Sequence, residues 1–162
     1  MTQDNSIDAV EVKSEYYKSG ALSSETPFVN GVANGIAKIY YESGALWVES
    51  PYVKGRRHGI RKEYYESGVL HYETSYVNGD IHGIEKIYYE SGALWSEASY
   101  VNGRIHGIDK EYYESGALWV ETPYVNGERH GISRDYDRDN SNICCLTLYN
   151  MDREVAIVVS NI

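Results

Sequence analysis

Apolar and polar positions alternate through most of this chain in short runs, and glycine cuts each run. In one cycle a strand is expected over about Leu46–Tyr52, then the turn "VKGRRH", a return strand over about Ile60–Tyr65, and the turn "ESGV". Alternation with a period of two is the mark of a strand with unlike faces. No stretch sustains a helical period. Glycine after Ser or Asn supplies the positive φ of tight hairpins, so successive strands are antiparallel neighbours in one long meander of about ten or eleven strands.

The cycle repeats. "YYESGALW" stands at 40–47, 88–95 and 112–119, with "YYESGVLH" at 64–71 and "YYKSGALS" at 16–23. Residues 16–135 therefore divide into five units of 24: 16–39, 40–63, 64–87, 88–111 and 112–135. A decayed sixth opens at "YDRDN" (136–140). Such a period means a quasi-linear array in which each unit touches only its neighbours. Residues 1–15 form a lead, and 136–162 a capping hairpin built from "ICCLTLY" and "VAIVV". An open last strand invites pairing with another chain, so capping and self-pairing both remain open for this segment.

Arithmetic sets a register. Placing Tyr52 opposite Gly59 brings Glu49 to Lys62, and placing Tyr65 opposite Leu70 brings Lys62 to Glu73. The row then runs Glu25, Lys38, Glu49, Lys62, Glu73, Lys86, Glu97, Lys110, Glu121, Arg134, alternating in sign. Opposite charges across strands contribute ~0.2–1 kcal/mol each. A one-residue bulge at the ESG turns is expected to spoil half of these pairs.

The same register sorts the faces. With the charge row lie Ile36, Ile60, Ile84, Ile108 and Ile132, and a row through Trp47, Tyr64, Tyr88, Trp95, Tyr112 and Trp119. The other face has fixed borders, Leu with Tyr and Tyr over Gly (Tyr52 with Gly59, Tyr76 with Gly83). Its centre varies: Val48, Tyr72, Ser96, Val120; Arg61, Glu85, Asp109, Ser133; Glu63, Ile87, Glu111, Asp135. That strip reads either as drift on a solvated face or as a binding strip on a fixed scaffold.

Composition narrows the function. Seventeen Tyr and one Phe suit a wetted pleated surface better than an oily core. A net charge of −9 argues against nucleic acid and anionic membranes as partners and permits a basic protein. The charge is uneven: 1–15 carry −3, 16–63 carry +3 and 64–162 carry −9. "MTQDNSIDAVEVK" has neither a basic nor an apolar leader region, so no signal peptide and a cytoplasmic setting are expected. Cys144 and Cys145 point to opposite faces of a strand and read as reduced packing residues.

"YVNGDIHG" (76–83), "YVNGRIHG" (100–107) and "YVNGERHG" (124–131), each followed by "YYESG", resemble MORN repeats. They are most similar to the variant in bacterial YwqK-type proteins, commonly labelled antitoxins. The first unit departs, since "FVNGVANG" (28–35) lacks the His, and the motif is lost after 140. The resemblance implies an elongated, twisted, all-β array of hairpins that binds protein and carries no catalytic residues.

Chemistry of other kinds is not expected. His58, His82, His106 and His130 recur at one position, but equivalent residues lie two strands apart, roughly 9–10 Å, too far to share a zinc ion. His71 stands in a Trp slot as an aromatic substitute. There is no nucleophile–base pairing and no phosphate loop, so no enzyme and no cofactor. The expected function is an antitoxin or immunity protein that occludes a cognate basic toxin. The alternative is a structural scaffold or membrane-surface module. The expected contact residues are Tyr72, Asp80, Glu85, Asp109, Glu111, Glu128 and Asp135, with Trp95 or Trp119 as anchors, although the register puts the Trp residues on the opposite face.

Overall fold

A computed structural model describes residues 9–159. They form a single open antiparallel sheet, with no helix among them. β1 (Val10–Tyr16) leads in. The first unit supplies β2 (Leu22–Val29), β3 (Val32–Ala33) and β4 (Gly35–Tyr40); the second, β5 (Leu46–Val53), β6 (Arg56–Arg57) and β7 (Gly59–Tyr64). The third has only β8 (Leu70–Val77) and β9 (Asp80–Tyr88). The fourth has β10 (Leu94–Val101), β11 (Arg104–Ile105) and β12 (Gly107–Tyr112); the fifth, β13 (Leu118–Val125), β14 (Glu128–Arg129) and β15 (Gly131–Tyr136). β16 (Ile143–Asn150) and β17 (Arg153–Val159) follow as a hairpin.

There are seventeen strand segments rather than ten or eleven. Apart from the lead strand and the last hairpin, the excess has one cause: four of the five return strands are broken after two residues. The break falls at Asn34, His58, His106 and His130. At each, the backbone N–H bonds back across the hairpin, as His58 does to the Pro51 carbonyl at 3.0 Å. The next residue is a glycine at positive φ (112° at Gly59), where a Cβ would lie 3.1 Å from Pro51 Cγ. The recurring histidines thus mark a backbone step.

The two turns differ. At the first, Asn30, Lys54, Asn78, Asn102 and Asn126 all have φ near 50°, each followed by a glycine with φ > 0. Two left-handed residues in a row make the two-residue hairpin whose twist matches the strands. At the second, Tyr65 N–H bonds to the Val69 carbonyl and Gly68 N–H to the Tyr65 carbonyl, both at 2.8 Å.

The charge row is present in the backbone register at all nine steps, from Glu25 opposite Lys38 to Glu121 opposite Arg134. Four of the pairs close to ion pairs: Lys38–Glu25 and Lys62–Glu73 at 3.6 Å, Lys86–Glu97 at 3.2 Å and Arg134–Glu121 at 3.0 Å. Two pairings differ from those expected. Tyr52 faces Arg57, not Gly59, because the step at His58–Gly59 shifts the register by two residues and so preserves which side chain faces which way. Gly59 instead pairs with Tyr76, and Gly83 with Tyr100. Leu70 faces Tyr64, not Tyr65, because a one-residue bulge does occur there. It spoils no charge pair, since it lies between the row and the turn.

One face is sheltered and the other open. Val48, Ser50, Thr74, Ala98 and Ser133, the buried residues, all lie on the face with the variable strip. The invariant Ile row lies on the other, and Ile36 and Ile60 are each 53 % exposed. The variable face is therefore sheltered rather than solvated. Of the cysteines, Cys145 is half-buried on the sheltered face and Cys144 is exposed, so only one of them packs.

Because apolar burial is slight, hydrogen bonds between units carry much of the cohesion. Tyr17, Tyr41, Tyr65, Tyr89 and Tyr113 each donate their hydroxyl to the backbone carbonyl of the residue 23 positions on, at 2.6–3.2 Å. At the opposite rim, the turn glycines Gly55, Gly79, Gly103 and Gly127 donate backwards to Ala33, Arg57, Ile81 and Ile105, each at 2.8 Å. Asp152 N–H takes the same place in the last hairpin, bonding to the Arg129 carbonyl at 3.0 Å. On the open face, Tyr40, Tyr64, Tyr88 and Tyr136 reach back to Glu25, Glu49, Glu73 and Glu121. Burial and the Glu25 carboxylate push the Tyr40 hydroxyl up to about 12.

Candidate functional site

The sheltered face carries a groove near each end of the array. A groove of about 440 Å³ spans β1 to β7, with Glu15, Ala37, Val48, Ser50, Tyr52, Arg57 and Arg61 among its lining. A second, of about 340 Å³, lies at the other end and is lined by Glu111, Trp119, Val120, Thr122, Tyr124, Arg129, Ser133, Asp135 and Tyr149.

Five of the residues expected to meet a partner lie on this face. Tyr72 is half-buried, its ring set edge-on to His71 with centroids 4.2 Å apart. Glu85 accepts from the Thr74 hydroxyl and the Tyr100 hydroxyl, both at 3.2 Å. Asp109 accepts from Ser96 at 3.4 Å. Burial holds Asp109, Glu111 and Asp135 above the usual carboxylate range, and the Glu85 charge adds to this at Asp109, as Asp109 does at Glu111. None of the three has a cation in ion-pair contact among the described residues. Asp80 and Glu128 are exposed at the hairpin turns, away from this cluster.

The tryptophans are not where the register argument put them. Trp47, Trp95 and Trp119 are the extra residues of the one-residue bulges, which rolls them toward the ESG turns. There they pack on the turn tyrosines: Trp119 on Tyr113 at 5.8 Å and Trp95 on Tyr89 at 6.3 Å. His71 does the same, stacked on Tyr65 at 4.1 Å. Trp119 consequently joins Glu111 and Asp135 around one groove.

Two features lay outside the sequence argument. Arg57 sits between the rings of Tyr52 and Tyr76, 6.0 and 5.6 Å from their centroids. The Thr74–Glu85–Tyr100 trio is the other, readable only once Thr74 is known to face Glu85. Among the described residues no group of three His, Cys, Asp or Glu is placed to hold a metal ion.

The fold and this surface define a tandem β-hairpin repeat scaffold for binding. The MORN repeat variant model matches residues 33–54, 57–78, 81–102 and 105–126, and the chain belongs to that family. The matches recur at the 24-residue spacing of the hairpin units. No curated protein matches the chain.

Proposed function

We propose that this chain is a non-enzymatic antitoxin or immunity protein that neutralises a basic protein toxin by direct binding. One observation carries the reading. Asp109, Glu111 and Asp135 are sheltered carboxylates with no cation in ion-pair contact among the described residues, and Glu111 and Asp135 line a groove that Trp119 also lines. A Lys or Arg side chain brought by a partner would offset the cost of their desolvation, and aromatic residues ringed by charge are favoured anchors. Asp80 and Glu128 on the turns extend the acidic field that steers a basic partner in.

Co-expression with the neighbouring reading frame tests this. A frame that stops growth alone, grows when the chain is present and co-elutes with it in fixed ratio is the expected result. Reversing Glu85 and Asp109 together to Lys should slow association about tenfold and flatten its salt dependence, with the fold intact. A complex that touches only the first two units, or only β16 and β17, would sink the assignment.

A further inference from the structure

The first unit contains a carboxylate site whose own carboxylate is missing. In the third unit, Glu85 is held between the Thr74 and Tyr100 hydroxyls at 3.2 Å each. Two units earlier the same three positions are Thr26, Ala37 and Tyr52. The two donors are kept and the acceptor is reduced to a methyl group. Among the described residues the Thr26 and Tyr52 hydroxyls have no hydrogen-bond partner, and both residues line the groove that Ala37 leaves open. No other unit shows this combination: Arg61 fills the position in the second, Asp109 in the fourth and Ser133 in the fifth.

The surroundings suit an anion. Arg57 is exposed at the groove's edge near the Tyr52 and Tyr76 rings, and has no carboxylate in ion-pair contact among the described residues. A guanidinium near two aromatic faces keeps its N–H donors free for a carboxylate. Arg61 is satisfied by Glu63, and Glu15 on the far wall accepts from Ser24 at 3.3 Å. The cavity, about 440 Å³, is far larger than one carboxylate, and Ala33, Ile39 and Val48 give it an aliphatic floor. We propose that this groove takes an extended, acidic segment of a partner protein, with one Asp or Glu side chain seated between Thr26, Tyr52 and Arg57. The proposal concerns the opposite end of the array from the acidic groove and stands independently of the toxin reading.

The test is an NMR titration of the full chain with two blocked heptapeptides, Ser-Val-Ser-Glu-Ser-Val-Ser and its Gln counterpart, and with acetate. The Glu peptide should shift the amides of Ser24, Glu25, Thr26, Ala37, Ser50 and Tyr52, with the Gln peptide and acetate each about tenfold weaker. Ala37→Glu should fold normally, because Thr26 and Tyr52 stand ready as Thr74 and Tyr100 do, and should abolish peptide binding. Arg57→Gln should weaken binding about tenfold and Arg57→Lys less, a check that holds even if Ala37→Glu does not fold. Equal binding of the Glu and Gln peptides, undiminished binding by Ala37→Glu, or no shifts at millimolar peptide would overturn the proposal. Acetate binding as tightly as the Glu peptide would overturn the peptide segment as the occupant.

Discussion

The hydroxyl of Tyr65 donates to the main-chain carbonyl of Tyr88 at 2.9 Å, tying the turn of one unit to the end of the next strand pair. Burial holds that hydroxyl above the usual phenol range, so it stays a donor through all physiological pH. Tyr65→Phe should cost about 0.5–1.5 kcal/mol while leaving the ring stacked on His71. A denaturant midpoint unchanged from the parent would show that water replaces the bond without loss.

Lys86 lies between Glu73 and Glu97 in the ladder and closes on Glu97 at 3.2 Å. Lys86→Glu puts like charges on both sides. The pair is more than a third exposed, so screening discounts the effect, and about 1 kcal/mol is expected at low salt. The difference should shrink as salt is added. Stability equal to the parent at low ionic strength would show that the row does not contribute.

Gly35 has φ of 119°, and a Cβ there would approach Pro27 Cγ to 2.8 Å. Gly103 also has positive φ, at 76°, but an added Cβ meets nothing within 4 Å. Gly35→Ala should therefore destabilise more than Gly103→Ala, by about 1 kcal/mol or more, since both carry the left-handed strain and only one carries a clash. Paired urea titrations give the comparison directly, and equal losses would rule out the contact with Pro27.

Asp109 is harder to ionise in the fold than in the unfolded chain, chiefly because it is sheltered. Its charge thus weakens the fold above its folded pKa, and the penalty fades as pH falls through that value toward 3.8. Asp109→Asn removes the charge and leaves an acceptor for Ser96. The variant should be more stable than the parent near pH 7 and should lose that advantage toward pH 4. Thermal unfolding at the two pH values decides it; a constant difference would point to packing instead.

The repeat, the strand pairing and the charge row were legible because each is written several times with one period, and acids and bases face one another along the whole row only in this register. The bulges were not legible. A one-residue shift at Trp47 or Trp119 leaves the alternation before and after it unbroken, so nothing in the pattern marks which residue is extra. The Trp119 ring consequently reached the groove that parity alone denied it. The Tyr52–Gly59 pairing failed for a related reason: a two-residue step keeps parity, so the charge arithmetic succeeds past a false starting pair. Which face is sheltered was also hidden, because the invariant Ile row looks like a core and is the more exposed side.

Every bond of the tyrosine clasp spans 23 residues, and every ladder contact stays between adjoining strands. Removing one whole period would bring together ends that already match, and inserting one would do the same. The molecule can thus change its reach in steps of two strands, roughly 9–10 Å, without inventing a new junction. A gain or loss of any other length would misalign the clasps, the charges and the turns together.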